Sequence, residues 1–243
     1  MKPTQLSISV IIPVHNGGEN FRQCLSSIGA SISQPTEVIV VADGDRESGQ
    51  VAADWGAKVI NVEDKGGPAQ ARNLGGAAAQ AEILFFVDAD VAIAPDTINR
   101  LRLAFAEDAN LGAVIGSYDD APGASNFLSQ YKNLFHHYTH QNASEDAFTF
   151  WGACGAIRRD IFLAIGGFDA SYRRPCVEDI ELGYRLKAAG YKIRLDKALQ
   201  VKHLKRWELI LVKQGIQPNI LEQADRVGGI SRTDHPGIVI KYN

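Results

Sequence analysis

An alternation limits most what this chain can fold into. From Ile8 to Ser117, short apolar and β-branched runs take turns with segments of helical spacing. The runs lie at Ile8 to Val14, Glu37 to Ala42, Lys58 to Val62, Ile83 to Val87 and Leu111 to Ser117. Between them, Phe21, Cys24, Leu25 and Ile28 mark a helix over Glu19 to Ile28, and a short helix is expected around Glu47 to Trp55. Gly66-Gly67-Pro68 opens an alanine-rich helix to about Gln80, and another spans Pro95 to about Glu107. Proline costs nothing in a first helical turn, where its missing N–H would be unpaired anyway. Strands alternating with helices predict an α/β fold: a Rossmann-like, mostly parallel central sheet with helices on both faces and right-handed crossovers. Ligands of such sheets bind beyond the carboxyl ends of the strands.

The second half breaks this rhythm. A helix is expected over Ala124 to His140, carrying Phe127, Leu128, Tyr131, Leu134, Phe135 and Tyr138. Phe148 to Ala153 reads as extended, Arg159 to Ile165 as a short helix, and Glu178 to Ala189 as a helix stopped by Gly190. The core stripe of that last helix is expected at Ile180, Gly183 and Tyr184, with Leu182 and Leu186 on a neighbouring stripe; a strand follows from Tyr191 to Leu195. No repeat or linker divides the chain, so one domain over 1–207 is expected, its halves meeting near 117, followed by a polar tail over 208–243. At most Leu209 to Val212 of that tail is expected to pack on the domain, the rest being irregular or held by a partner chain.

Composition narrows the function classes. A net charge of -3 over 243 residues gives no footprint for nucleic acid. Cys24, Cys154 and Cys176 are odd in number and scattered, which argues for a reducing compartment and against a disulfide framework or structural zinc site. Neither a signal-peptide core nor an apolar stretch near the roughly 18 residues of a membrane span is present. A cytoplasmic, soluble protein is expected. Membrane contact would be at most peripheral, at the inner face, through the basic cluster Lys202 to Arg206 with Trp207. Assembly into a homo-oligomer stays open.

Several short motifs carry chemistry. Asp88-Ala89-Asp90 follows an apolar strand, so two carboxylates could share one face of a cleft, where repulsion calls for a cation or an arginine. Hard ions such as Mg2+ or Mn2+ take one or two carboxylates plus phosphate oxygens. Alternatively the acids merely end a strand and start a turn. Asp43-Gly44-Asp45 can bond a base or ribose, or form an ordinary Asp-Gly turn. Arg72 stands one turn into the helix opened by Gly67-Pro68, where an anion is attracted and a guanidinium grips phosphate or carboxylate; the bland alternative is a solvent-facing arginine. Glu178 and Asp179 either complement a helix dipole or supply a general base, and the dipole is expected to keep Asp179 ionised. His203 could ligate a metal or help hold a diphosphate, or belong to a solvated basic face.

Taken in order, these pieces resemble family-two glycosyltransferases of the GT-A fold. The resemblance rests on Ser9 to Asn16, the aspartates after the second strand, Gly67 to Asn73, Asp88-Ala89-Asp90, Trp151 to Ala156, Gly166-Gly167-Phe168-Asp169 and Glu178-Asp179, and it covers about Ile8 to Trp207. It implies a metal-dependent transfer from a nucleotide-diphosphate sugar, uridine being the usual base, to a hydroxyl acceptor that is a saccharide or lipid-linked. Such a hexosyltransferase-like enzyme would serve polysaccharide or glycolipid synthesis. Residues 1–117 would be the donor-binding half and 118–207 the acceptor-side half. Pro13, Val14, Asn16, Asp43, Asp45, Arg72, Asp88, Ala89, Trp151 and Gly152 would surround the donor, with Asp43 at the base. Asp90, Asp88 and His203 would hold Mn2+ or Mg2+. Asp179 would be the inverting base, with Glu178 beside it in the acceptor site.

The tail departs from family members that continue into amphipathic or transmembrane helices, which bears on acceptor delivery. Two other readings share the motifs. A nucleotide-sugar-binding protein without turnover would keep every donor residue. A sugar nucleotidyltransferase would instead need a glycine-rich loop with Arg and Lys after the first strand, where this chain has Val14-His15-Asn16-Gly17-Gly18.

Overall fold

The computed structural model describes residues 6–207; the tail expected over 208–243, with Leu209 to Val212, lies outside the described residues. Fifteen elements run in the order β1 (Ile8–Val14), α1 (Gly18–Gly29), β2 (Glu37–Asp43), α2 (Arg46–Trp55), β3 (Lys58–Val62), α3 (Pro68–Ala78), β4 (Ile83–Val87), β5 (Val91–Ile93), α4 (Thr97–Glu107), β6 (Leu111–Tyr118), α5 (Phe127–Asn142), β7 (Cys154–Arg158), α6 (Arg159–Ala164), α7 (Glu178–Ala188) and β8 (Lys192–His203). Among the described residues, one sheet carries all eight strands in the order β3-β2-β1-β4-β7-β6-β8-β5. The β3-β2-β1-β4 half is parallel throughout, as strand–helix alternation requires. Successive residues of β1 feed opposite faces. Val10 and Ile12 join a core with α1 and α4, whereas Ile11 joins one with α3, α6 and α7. A strand buried on both faces must be apolar throughout, which is why these runs do not alternate.

The second half departs from the sequence expectation. The strand lies at Cys154–Arg158, just after the segment read as extended, and inserts antiparallel between β4 and β6. The last strand is 12 residues long and reaches His203, pairing parallel with β6 and antiparallel with the short β5. In α5 the rings face outward: Phe127, Tyr131, Phe135 and Tyr138 are exposed, while Ser129 and Asn133 are the buried residues. In α7 the core stripe is Leu182, Gly183 and Leu186, with Glu178; Tyr184 is exposed.

Gly183 seats α7. A Cβ there would lie 2.3 Å from the Phe150 nitrogen and 2.4 Å from Thr149 Cα. This close approach brings the first turn of α7, with Asp179, against the 149–152 segment. Gly183→Ala gains helix propensity of about 1 kcal/mol, yet the clash with backbone should cost more, a net loss of ~1–2 kcal/mol in denaturant unfolding. An unchanged or raised midpoint would mean that α7 can back away freely.

Candidate active site at the carboxyl ends of the strands

The site begins where β1 and β2 end. Pro13 and Val14 pair with Val41 and Ala42 across these parallel strands. Asn16 turns the chain with a positive φ of 56°, a conformation asparagine tolerates, and its N–H donates to Asp45 Oδ2 at 2.7 Å. The other oxygen of Asp45 caps α2 by accepting from Ser48 N at 3.1 Å. Burial would raise the Asp45 carboxyl, but these hydrogen bonds outweigh it and hold Asp45 below the ordinary carboxylate range. Asp43 is buried, and its two oxygens accept the N–H groups of Gly66 at 2.8 Å and Gly67 at 2.9 Å. It therefore ties the strand end to the entrance of α3. Gly67 has a φ of 90°, and a Cβ there would come within 2.3 Å of the Arg173 carbonyl oxygen.

Arg72 is the hub. It is buried, and its guanidinium donates from Nη2 to Asp88 Oδ1 at 2.7 Å and from Nη1 to Glu178 Oε1 at 3.0 Å. Arg72 thus joins Asp88, just after β4, to Glu178, the first residue of α7, which lies 106 positions along the chain from Arg72. Glu178 is also buried, and its Oε2 accepts Cys176 N at 2.8 Å, so it faces Arg72 and its own loop. Asp179 turns the other way. Its Oδ2 accepts the Gly152 N–H at 3.1 Å, and Oδ1 accepts from Ile180 N at 2.8 Å. Burial pushes the Asp179 carboxyl above its ordinary range, against the Gly152 hydrogen bond and the charge of Arg72. That shift runs opposite to the dipole-driven ionisation expected from sequence.

Asp90 forms the opposite corner. The β5–β8 pairing sets Val91 beside His203, and His203 Nε2 lies 3.7 Å from Asp90 Oδ2 with Lys205 Nζ at 3.8 Å. Burial would raise the Asp90 carboxyl, but the facing His203 and Lys205 prevail and hold it low. His203 is buried on the last residue of a strand, which removes it from the solvated basic face; Lys202 does face outward, pairing with Asp119 at 3.0 Å. Among the described residues no group of three or more His, Cys, Asp and Glu side chains is gathered as a metal cage. The donors present still fit a hard divalent ion: with ligand distances of about 2.1 Å, one ion could touch both Asp90 and His203 and complete its shell with diphosphate oxygens. An imidazole among the donors favours a transition-metal ion such as Mn2+ over Mg2+.

The structure thus joins Asp88, Arg72 and Glu178 by hydrogen bonds, sets the Asp179–Gly152 pair against the Arg72 guanidinium, and places Asp90, two residues beyond Asp88, with His203. Ala89 packs partly into the core. Trp151 bridges to the centre of the sheet, its ring edge-on to Tyr118 at 4.8 Å and to His140 at 4.8 Å. Burial, with His136 and His137 nearby, lowers the His140 imidazole to about 4, so this wall is neutral at physiological pH. Tyr118 escaped sequence reading; its only signal was its place at the end of a buried strand.

A family model described as Glycosyl transferase family 2 matches residues 9–166. Glycosyltransferase GlyG of Streptococcus pneumoniae is 35% identical over 118 residues, covering 46% of this chain and 38% of that protein. The pre-mycofactocin glycosyltransferase of Mycobacterium tuberculosis is 27% identical over 219 residues, covering 85% of this chain and 44% of that protein. The chain therefore spans less than half the length of these two relatives. A structure of GalNAc-T7 with UDP, GalNAc and Mn2+ aligns with a TM-score of 0.65 at 19% identity, over 84% of this chain and 44% of that one. The mannosyltransferase PcManGT from Pyrobaculum calidifontis, in complex with GDP-Man and Mn2+, aligns with a TM-score of 0.60 at 21% identity, over 82% and 57%. Both share the GT-A type of fold seen here.

Proposed function

The chain belongs to glycosyl transferase family 2, and on that premise we propose that it transfers a sugar from a nucleotide-diphosphate donor to a hydroxyl acceptor, with a divalent metal and with inversion. The observation that carries this is the placement of Asp179, which is held on Gly152 beside the Arg72–Asp88 pair. A basic carboxylate and the Asp88–Asp90 corner thus share one end of the sheet. The Mn2+ in two structures of the same fold supports the metal part of the reading. Asp90 and His203, with Asp88 adjoining, would hold the ion, which when bound supplies positive charge against the departing diphosphate.

The chain's own residues do the rest. Asp43 and Asp45 shape the loops that would receive the nucleoside. Trp151 and Gly152 would wall the donor sugar and keep water from it. Asp179 would accept the acceptor's hydroxyl proton as its oxygen bonds to the anomeric carbon. The carbon–oxygen bond to the diphosphate breaks as that bond forms, its electron pair leaving with the phosphate. Burial makes Asp179 a stronger base than an exposed aspartate. Glu178 acts through Arg72 and is a positioning residue. We read the acceptor as a saccharide or lipid-linked hydroxyl.

A thermal-shift panel of nucleotide sugars tests the reading, because a ligand that binds the native state alone raises apparent stability by mass action. At least one nucleotide sugar should raise the melting temperature only with Mn2+; a panel that moves nothing in either condition contradicts it. Asp90→Ala should fold normally and weaken metal-dependent binding of a nucleoside diphosphate by at least about tenfold, since even outer-shell changes cost that much. Unchanged affinity in calorimetry would remove Asp90 from the metal corner.

A further inference from the structure

We propose that Tyr118 is a positioning residue that fixes the plane of the His203 imidazole so that Nε2 faces Asp90. The proposal rests on His203 as a metal ligand, as read above.

The two rings are stacked, 8° from parallel with centroids 4.5 Å apart. Tyr118 is held on its other sides by rings that meet it edge-on, Trp151 at 4.8 Å and 80° and His136 at 5.9 Å and 83°. Its backbone is pinned as well. The Tyr118 carbonyl oxygen accepts from His137 Nδ1 at 2.7 Å, and the next N–H, of Asp119, donates to the Val201 carbonyl oxygen at 2.9 Å. Tyr118 pairs with Val201, and His203, two residues on, lies on the same face of the strand. The pairing reaches this point only after a register shift between Ile115 and Ser117, the kind of irregularity that re-aims a side chain. Tyr118 is thus a buried, fixed plate with one ring face on His203.

An imidazole ligand needs its ring direction set before the ion arrives, and partners that set it normally contribute 10–100-fold to metal affinity. Hydrogen bonds usually do this. Here the stacked face does so, because rotation about the His203 Cβ–Cγ bond would carry the imidazole out of the plane parallel to Tyr118. The same ring touches Trp151, next to Gly152, which holds Asp179. One side chain therefore sits between the metal corner and the base.

Calorimetric titration of Mn2+ with UDP present separates the claims. Tyr118→Phe keeps the face and should match wild type. Tyr118→Leu keeps bulk without the face and should weaken Mn2+ binding by about tenfold or more. His203→Ala should weaken it too, and Tyr118→Leu should add little on that background, since the two act through one contact. If His203→Ala binds Mn2+ as wild type does, the ligand reading falls. If His203→Ala loses affinity while Tyr118→Leu does not, or if Tyr118→Phe loses as much as Tyr118→Leu, the positioning role falls alone. Should Tyr118→Leu fail to fold, the wild-type protein decides by side-chain NMR. The His203 ring protons must carry the upfield shift of a stacked ring, and one tautomer must persist before and after diamagnetic Mg2+ is added. Ring protons at unstacked positions would overturn the proposal.

Discussion

Asp179→Asn should lower turnover by roughly 10²-fold or more, within the 10²–10⁴ that a positioned base contributes, while nucleotide-sugar affinity barely moves. Asparagine keeps the shape but loses the basic oxygen. It has one carbonyl oxygen where aspartate has two, so either Gly152 N or Ile180 N loses its acceptor. That loss costs about 1 kcal/mol of stability, too little to unfold a domain. Wild-type turnover should rise with pH through the Asp179 titration, because only the ionised form takes a proton. Burial raises that titration, so the acid limb of the profile should lie above the ordinary aspartate value of about 3.9. Near-normal turnover in Asp179→Asn would exclude the role, whatever the pH profile shows.

Arg72→Met should be the most destabilising single change in the site. Removing the guanidinium leaves Asp88 and Glu178 without their shared partner. Glu178, at 4% exposure, cannot turn to water for compensation, whereas Asp88 is partly solvated. Breaking a buried pair in this way costs about 3–5 kcal/mol, which for a domain of this size lowers the melting temperature by roughly 6–20 °C. Arg72→Lys should fall between, because one ammonium cannot span both carboxylates as the planar fork does. Arg72→Met combined with Glu178→Leu should recover much of the loss, since no buried charge is then stranded. A melting temperature within a degree or two of wild type for Arg72→Met would mean that the bridge carries no stability.

The strand ends were legible because buried parallel strands must be apolar along their whole length. Ile83–Val87 and Glu37–Asp43 announce both themselves and the acids that close them. The family resemblance, read from ordered motifs, agrees with the family match and the shared fold. What periodicity could not give was direction. Glu178 and Asp179 are adjacent, yet one is locked on Arg72 and the other on Gly152, and only tertiary packing sets that. The partner of Arg72 on α7 lies far along the chain, beyond any local pattern. The helical spacing of the apolar residues on α5 gave the helix but not its inner face, which the polar Ser129 and Asn133 take: Ser129 accepts the Trp207 N–H, and Asn133 donates to the Asp119 carbonyl. β7 escaped because it is a non-local antiparallel insertion, and the strand read at Tyr191 to Leu195 fell short of His203 because charged residues interrupt the run of β8.

The most direct test of metal-assisted transfer at this site is chromatographic quantification of nucleoside diphosphate after the protein is incubated with a panel of nucleotide sugars, with Mn2+ and with chelator. Nucleoside diphosphate should be released from at least one donor, dependent on Mn2+, with release abolished in Asp90→Ala and strongly slowed in Asp179→Asn. A donor that binds but is never cleaved would leave a binding protein without turnover. Release that persists with chelator, or that survives in Asp90→Ala, would contradict the metal-assisted transfer proposed for this site.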